Sequence, residues 1–160
     1  IRTLIAFRKI IVMFKFFIKF SFFVSGLFSI SAFAAEPSLP LVAKIIAPSD
    51  NHQPAPVLIL MHGYGSNEND LIDLAPGLPA HFIYVSLRAP YTTHIGGYQW
   101  YQSEVVNGQP DAPADQLKVS REAVMNALQT IEKKYKVDTH HIFIAGFSQG
   151  AVMTYDIALH

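Results

Sequence analysis

The stretch Ile144-Ala145-Gly146-Phe147-Ser148-Gln149-Gly150-Ala151-Val152-Met153 constrains this chain more than any other. The apolar run His141–Ala145 reads as a buried strand, and from Gln149 onward Ala151, Val152, Tyr155 and Ala158 recur at helical spacing. The chain must therefore reverse direction within very few residues. A serine at that apex is forced into a sparsely populated backbone conformation, with its hydroxyl thrust outward above the sheet. Gly146 and Gly150, two before and two after, let strand and helix approach without a clash. The competing interpretation is a glycine-rich turn whose serine only caps the helix.

The rest of the chain supplies an α/β frame for that turn. Residues 41–48 alternate enough for an early strand, Val57–Met61 is a continuous apolar run, and Phe82–Leu87 is another. Ser66 or Asn67 can cap a helix with Glu68 and Asp70 in its first turn, Leu71, Ile72, Leu74 and Ala75 on its apolar side, and Pro76-Gly77 at its end. Residues 88–113 read as a long irregular stretch, although Tyr91, Tyr98, Trp100 and Tyr101 argue against simple disorder. From Ala114 to about Tyr135, the residues Leu117, Val124, Leu128, Ile131 and Tyr135 mark an amphipathic helix. Strands alternating with helices predict a parallel sheet flanked by helices.

Gly-Phe-Ser-Gln-Gly fits the G-x-S-x-G nucleophile elbow, in the strand-to-helix setting that the motif requires. Acyl transfer also needs donors for the charge that develops on the carbonyl oxygen. Gln149 offers a backbone N–H at a helix N-terminus. His62-Gly63-Tyr64-Gly65, at the end of an earlier buried strand, is placed to offer the second, with the Tyr64 N–H as the candidate. An ordinary strand-to-helix turn would explain either loop alone, but not both so easily.

Together "LMHGYGSNENDL", "LRAPY", "GGYQWY" and "YKVDTHHIFIAGFSQGA" resemble the phospholipase/carboxylesterase family of small serine hydrolases, over about Val57 to Leu159. That family includes acyl-protein thioesterases, lysophospholipases and bacterial carboxylesterases. The resemblance implies a minimal α/β-hydrolase with Ser148 as nucleophile and the Tyr64 and Gln149 amides as oxyanion hole. His62, Gly63, Gly65, Gly146 and Gly150 would support those loops. Trp100 and Tyr98 would line the acyl or leaving-group side of the cleft. It implies no metal and no organic cofactor, and a small ester or lipid-like substrate.

In this fold the triad follows in the order Ser, Asp or Glu, His. Only Asp156 and His160 follow Ser148 as candidates, and both fall on the helix behind the elbow. His140 and His141 are adjacent at the far end of a strand, on opposite faces. His52, His81 and His94 fall in loop or edge positions without ligand spacing. The chain is thus expected to be the N-terminal part of a hydrolase, lacking the C-terminal strands and helices that carry the acid and base. On that expectation residues 35–160 alone are poorly soluble and inactive, because an unassisted serine is a weak nucleophile. The alternative is a non-catalytic secreted binding protein on the same fold. Nothing in the sequence separates ester, thioester and peptide leaving groups.

Residues 1–34 differ from the remainder. They hold nine of the twelve phenylalanines, five basic residues and no acid, against seven basic and twelve acidic residues afterwards. From Met13 a cationic start leads into an apolar run and closes at Ala32-Phe33-Ala34, the pattern of a signal peptide cleaved near Ala34. Residues 1–12 then read as upstream translation, 35–160 as a partial hydrolase domain, and the product as secreted or periplasmic. The uncharged run from Phe20 to Ala35 is short for a membrane span, which argues against an uncleaved anchor. The acidic balance after residue 34 offers no basic face for nucleic acid. With no cysteine there is neither a disulfide framework nor a thiolate metal site.

Overall fold

The computed structural model describes residues 39–50 and 52–160. The segments 1–12 and 13–34 lie outside the described residues. A four-stranded sheet has the order β1-β3-β2-β8, where β1 is Ala43–Ile46, β2 Ala55–Met61, β3 Ile83–Leu87 and β8 Val137–Gly146. β2 pairs in parallel with β3 and with β8, and β1 pairs antiparallel with β3. The sheet is therefore mixed, where alternating strands and helices predict a parallel one. The short 47–54 connection explains the difference: among its described residues there is no helix, and a parallel return needs a crossover of about a dozen residues or more.

Successive side chains of β2 point to opposite faces, and each face is covered by a different layer. Val57, Ile59 and Met61 join Val85 and Leu87 of β3 in the main core. Helix α1, Ala114–Lys134, closes that face with Val124, Ala127, Leu128 and Ile131. Helix α2, Gln149–Leu159, adds Met153 to the same core. On the other face Leu58, Phe82 and Tyr84 pack with Ile72 and Ala75 of a short 3-10 helix, Leu71–Gly77. The helical spacing of α1 thus matches its buried stripe, with Leu117 and Tyr135 packed at the edge of the core.

Two segments differ from their sequence-based expectations. No α-helix starts at Ser66 or Asn67. Residues 66–70 form turns instead, in which the Ser66 hydroxyl donates to Asp70 (2.8 Å) and Asn67 Oδ1 accepts from the Asn69 N–H (2.9 Å). Glu68 leaves the helix face entirely and turns inward toward Arg88. The stretch 88–113 is not irregular either. It contains two hairpins, β4 (Tyr91–Thr92) with β5 (Tyr98–Gln99), and β6 (Glu104–Val106) with β7 (Gln109–Asp111). Asn107 and Gly108 both have positive φ (52° and 78°), as a two-residue hairpin turn requires.

Among the described residues β8 pairs only with β2. Phe143 on this strand is 46% exposed, and Phe147 just beyond it is 65% exposed. Among the described residues no helix is long and apolar enough to cross a membrane.

Candidate active site

Ser148 occupies the apex between β8 and α2 with φ 52° and ψ −114°. A non-glycine residue there costs about 1–3 kcal/mol and persists only where its surroundings enforce it. Those surroundings are two contacts that exclude a side chain. A β-carbon on Gly146 would stand 2.1 Å from the Gly150 carbonyl oxygen, and one on Gly150 would stand 2.0 Å from that of Met61. The Phe147 N–H donates to the Met61 carbonyl (3.1 Å), tying the elbow to the end of β2. Ser148 is exposed, and its hydroxyl makes no capping bond to α2. The helix-cap interpretation of this serine therefore lacks its defining contact.

The loop after β2 lies against the elbow. A β-carbon on Gly63 would stand 3.2 Å from the Phe147 ring and 3.4 Å from the Ser148 β-carbon, a tight fit that the Phe147 side chain would have to ease. Among the described residues, the backbone N–H groups of Tyr64 and Gln149 have no hydrogen-bond partner within the protein. Both follow directly on the contact between the two loops. Gly65 (φ 77°) donates its N–H to the Tyr98 carbonyl and Tyr98 donates to that of Ser66, both at 2.9 Å. Gly97 packs so closely that a β-carbon on it would fall 2.0 Å from the Gly65 oxygen. The His62–Gly65 loop is thus hydrogen-bonded to the hairpin that follows Arg88.

His62 is fully buried beneath this junction. The Ala89 N–H can only donate, so His62 Nε2 accepts it (3.1 Å) and Nδ1 carries the proton toward the Gly63 carbonyl (2.7 Å). The ring is a neutral strut, and burial lowers its pKa below the usual histidine value. Trp100 completes the support. Its indole N–H donates to the His62 carbonyl (2.9 Å), and the ring is fully buried. The resemblance places Trp100 on the cleft wall; the structure buries its ring against the His62–Gly65 loop, with its one side-chain polar atom bonded to the His62 carbonyl. Tyr98 is half-buried, with its ring 4.5 Å from the Arg88 guanidinium carbon and its hydroxyl accepting from Arg88 (3.1 Å).

Two further arrangements were not drawn from the sequence. The Gln149 side chain is buried and bridges the backbone of the Trp100 loop, with Oε1 accepting from the Trp100 N–H and Nε2 donating to the Tyr101 carbonyl, both at 2.7 Å. Ser120 of α1 donates to the Trp100 carbonyl at 2.5 Å. The second arrangement is a bidentate pair in which Arg88 Nε and Nη2 each lie 2.6 Å from a Glu68 carboxylate oxygen. The guanidinium holds the Glu68 carboxyl below the ordinary carboxylate range. A polar residue directly after Ser148, and Glu68 and Arg88 flanking buried strands, were the available signals.

No described histidine hydrogen-bonds Ser148. His141 bonds Asp138, His160 bonds the Asp156 carbonyl, and His94 lies 3.5 Å from the Tyr64 hydroxyl. Asp156 is paired with Arg121 (2.6 Å). The Gly63 backbone thus lies against the elbow, whereas no described histidine or acid is hydrogen-bonded to Ser148. Nor do three or more described His, Cys, Asp or Glu side chains group as metal ligands.

The sequence model of the Phospholipase/Carboxylesterase family matches residues 41–160. Among solved structures, esterase PE8 superposes with a TM-score of 0.63 at 22% identity, over 74% of this chain and 57% of that one. The Bacillus cereus carboxylesterase gives 0.57 at 25% identity, over 71% and 50%. Zea mays acyl-protein thioesterase 2 gives 0.57 at 19%, over 74% and 51%. The chain thus spans 50–57% of the length of these three.

Proposed function

Since the chain belongs to the phospholipase/carboxylesterase family of α/β-hydrolases, we propose that it bears the nucleophile and oxyanion hole of a serine hydrolase acting on carboxylic esters or thioesters. In this mechanism a histidine, oriented by an acid, takes the Ser148 proton as Oγ attacks the acyl carbon. The oxygen of the tetrahedral intermediate accepts from the Tyr64 and Gln149 N–H groups. Collapse expels the alcohol or thiol with the proton from the histidine and leaves an ester on Ser148. Water, activated by the same base, then attacks that ester, frees the carboxylic acid and restores the serine. Neither that histidine nor that acid is hydrogen-bonded to Ser148 among the described residues.

The observation that carries this reading is the positive φ of Ser148, enforced by Gly146 and Gly150, with the Tyr64 and Gln149 amides lacking a partner among the described residues. The signal-like segment 13–34 supports export, and so substrates met outside the cytoplasm. Residues 35–160 alone are expected to be inactive, since loss of triad members leaves only slow residual catalysis. The test is hydrolysis of p-nitrophenyl acetate by the full-length protein. Turnover should fall by about three orders of magnitude or more in Ser148→Ala. Equal rates in the two proteins would remove Ser148 from the chemistry.

A further inference from the structure

A closed circuit of contacts joins the two segments that meet at Ser148. Gln149 follows the serine directly, and its side chain turns inward and is buried. Its Oε1 accepts from the Trp100 N–H and its Nε2 donates to the Tyr101 carbonyl, both at 2.7 Å. The Trp100 indole carries the link onward by donating to the His62 carbonyl (2.9 Å). Gly63, the next residue, lies against Phe147 and Ser148, and so returns the circuit to the elbow.

Each station of the circuit is held from a second side. Trp100 is fully buried, and its carbonyl accepts from Ser120 (2.5 Å). The Gly150 backbone abuts the Met61 and His62 carbonyls. His62 Nδ1 donates to the Gly63 carbonyl (2.7 Å). In a trans peptide unit the C=O and the N–H point in opposite directions, so this bond also turns the Tyr64 N–H away from the buried imidazole. Glutamine suits its own station because one planar group supplies a donor and an acceptor together. An ionised Glu could only accept there, and Met could not donate.

We infer that the Gln149 side chain is a positioning residue: through Trp100 it fixes the distance between the elbow and the His62–Gly65 loop, and with it the spacing of the Gln149 and Tyr64 N–H groups. The inference rests on the serine-hydrolase reading, in which those two groups hold the oxyanion. A displaced donor costs a ground-state ester little, because its carbonyl oxygen bears little charge. The transition state loses more, because charge has developed there. The effect should therefore fall on kcat and spare KM.

The test compares the full-length protein with Gln149→Met, Trp100→Phe and the double variant on p-nitrophenyl acetate. Gln149→Met keeps the backbone N–H and removes both side-chain bonds, whereas Trp100→Phe removes the indole donor. Active sites are counted by fluorophosphonate titration, and each protein is assayed well below its unfolding midpoint. In each single variant kcat per titrated site should fall about ten- to hundredfold, less than deleting a donor outright, with KM within about threefold. The double variant should lose little more than the worse single one, since either break opens the same circuit. A merely structural bridge would lower the midpoint and the number of titrated sites but leave kcat per site unchanged.

Ser120→Ala frees only the Trp100 carbonyl and serves where the larger substitutions do not fold; it should lower kcat less, at unchanged KM. Unchanged kcat per site in folded Gln149→Met or Trp100→Phe would overturn the inference. So would single losses that multiply in the double variant or, where neither single variant folds, an unchanged kcat in Ser120→Ala. A parent protein that hydrolyses the ester no faster than Ser148→Ala would instead sink the hydrolase reading, and this inference with it.

Discussion

The α-carbon of Gly150 sits so close to Met61 that a β-carbon there would fall 2.0 Å from the Met61 carbonyl oxygen and 2.7 Å from that of His62. The first turn of α2 thus rests on the backbone end of β2, and this contact sets where Ser148 stands relative to the His62–Gly65 loop. Backbone atoms cannot rotate aside as a side chain would. Gly150→Ala should therefore cost about 3 kcal/mol or more in urea unfolding, at the upper end for overpacking. A variant with an unchanged midpoint would show that the two segments are not held in this contact.

The Gln149 side chain satisfies a buried donor and a buried acceptor on the Trp100 loop. Gln149→Met keeps the volume and the backbone N–H but leaves the Trp100 N–H and the Tyr101 carbonyl unpaired. Each orphaned group costs about 1–3 kcal/mol, so a loss of about 2–5 kcal/mol is expected. Hydrogen exchange should quicken at the Trp100 amide first. Unchanged exchange at that amide would mean the bridge does not hold the loop.

Arg88 and Glu68 form a largely buried pair, with side-chain exposures of 29% and 8%. Removing one partner strands the other charge, so Arg88→Met should cost about 3–5 kcal/mol at pH 7. The folded-state pKa of Glu68 lies below its unfolded value, chiefly through its hydrogen bonds to Arg88. Its contribution is therefore complete above the unfolded value of about 4.3 and is lost as pH falls toward the folded value. Denaturation midpoints measured from pH 7 to pH 3 should decline less steeply in Arg88→Met than in the parent. Parallel declines would contradict the pairing.

His62 behaves with the same sign for a different reason. Burial lowers its folded-state pKa, so below about 6.5 the unfolded chain binds the proton more readily than the folded one. Stability should fall as pH drops below about 6.5 and level off once the folded-state pKa is passed. In His62→Gln this step should vanish, with some loss of stability at pH 8 as well. A step of equal size in the variant would place the titrating group elsewhere.

What the sequence made legible was local and periodic. The GFSQG turn, the stripe along α1 and the buried runs of β2 and β3 each follow from a few adjacent residues. The Asn107-Gly108 turn was equally local, and its N-G signal was available but submerged in a region read as irregular, the more so because Gln-Pro-Asp after it is a poor strand former. Tertiary choices were less visible. Glu68 looks like a residue of a helix first turn until Arg88, twenty positions later, arrives to claim it. Trp100 looks like a cleft aromatic, yet the His62 carbonyl lies where only the indole N–H satisfies it. The antiparallel setting of β1 depended on the absence of a helix in 47–54.

The central claim is that Ser148 is a nucleophile whose neighbours are built to stabilise an acyl-transfer intermediate. Its most direct test is to treat the full-length protein with a fluorophosphonate and map the adduct by peptide mass spectrometry. The account predicts rapid, stoichiometric modification of Ser148, slowed by an ester substrate and absent from Ser148→Ala. An unmodified Ser148, or an adduct at another residue that persists in Ser148→Ala, would contradict it.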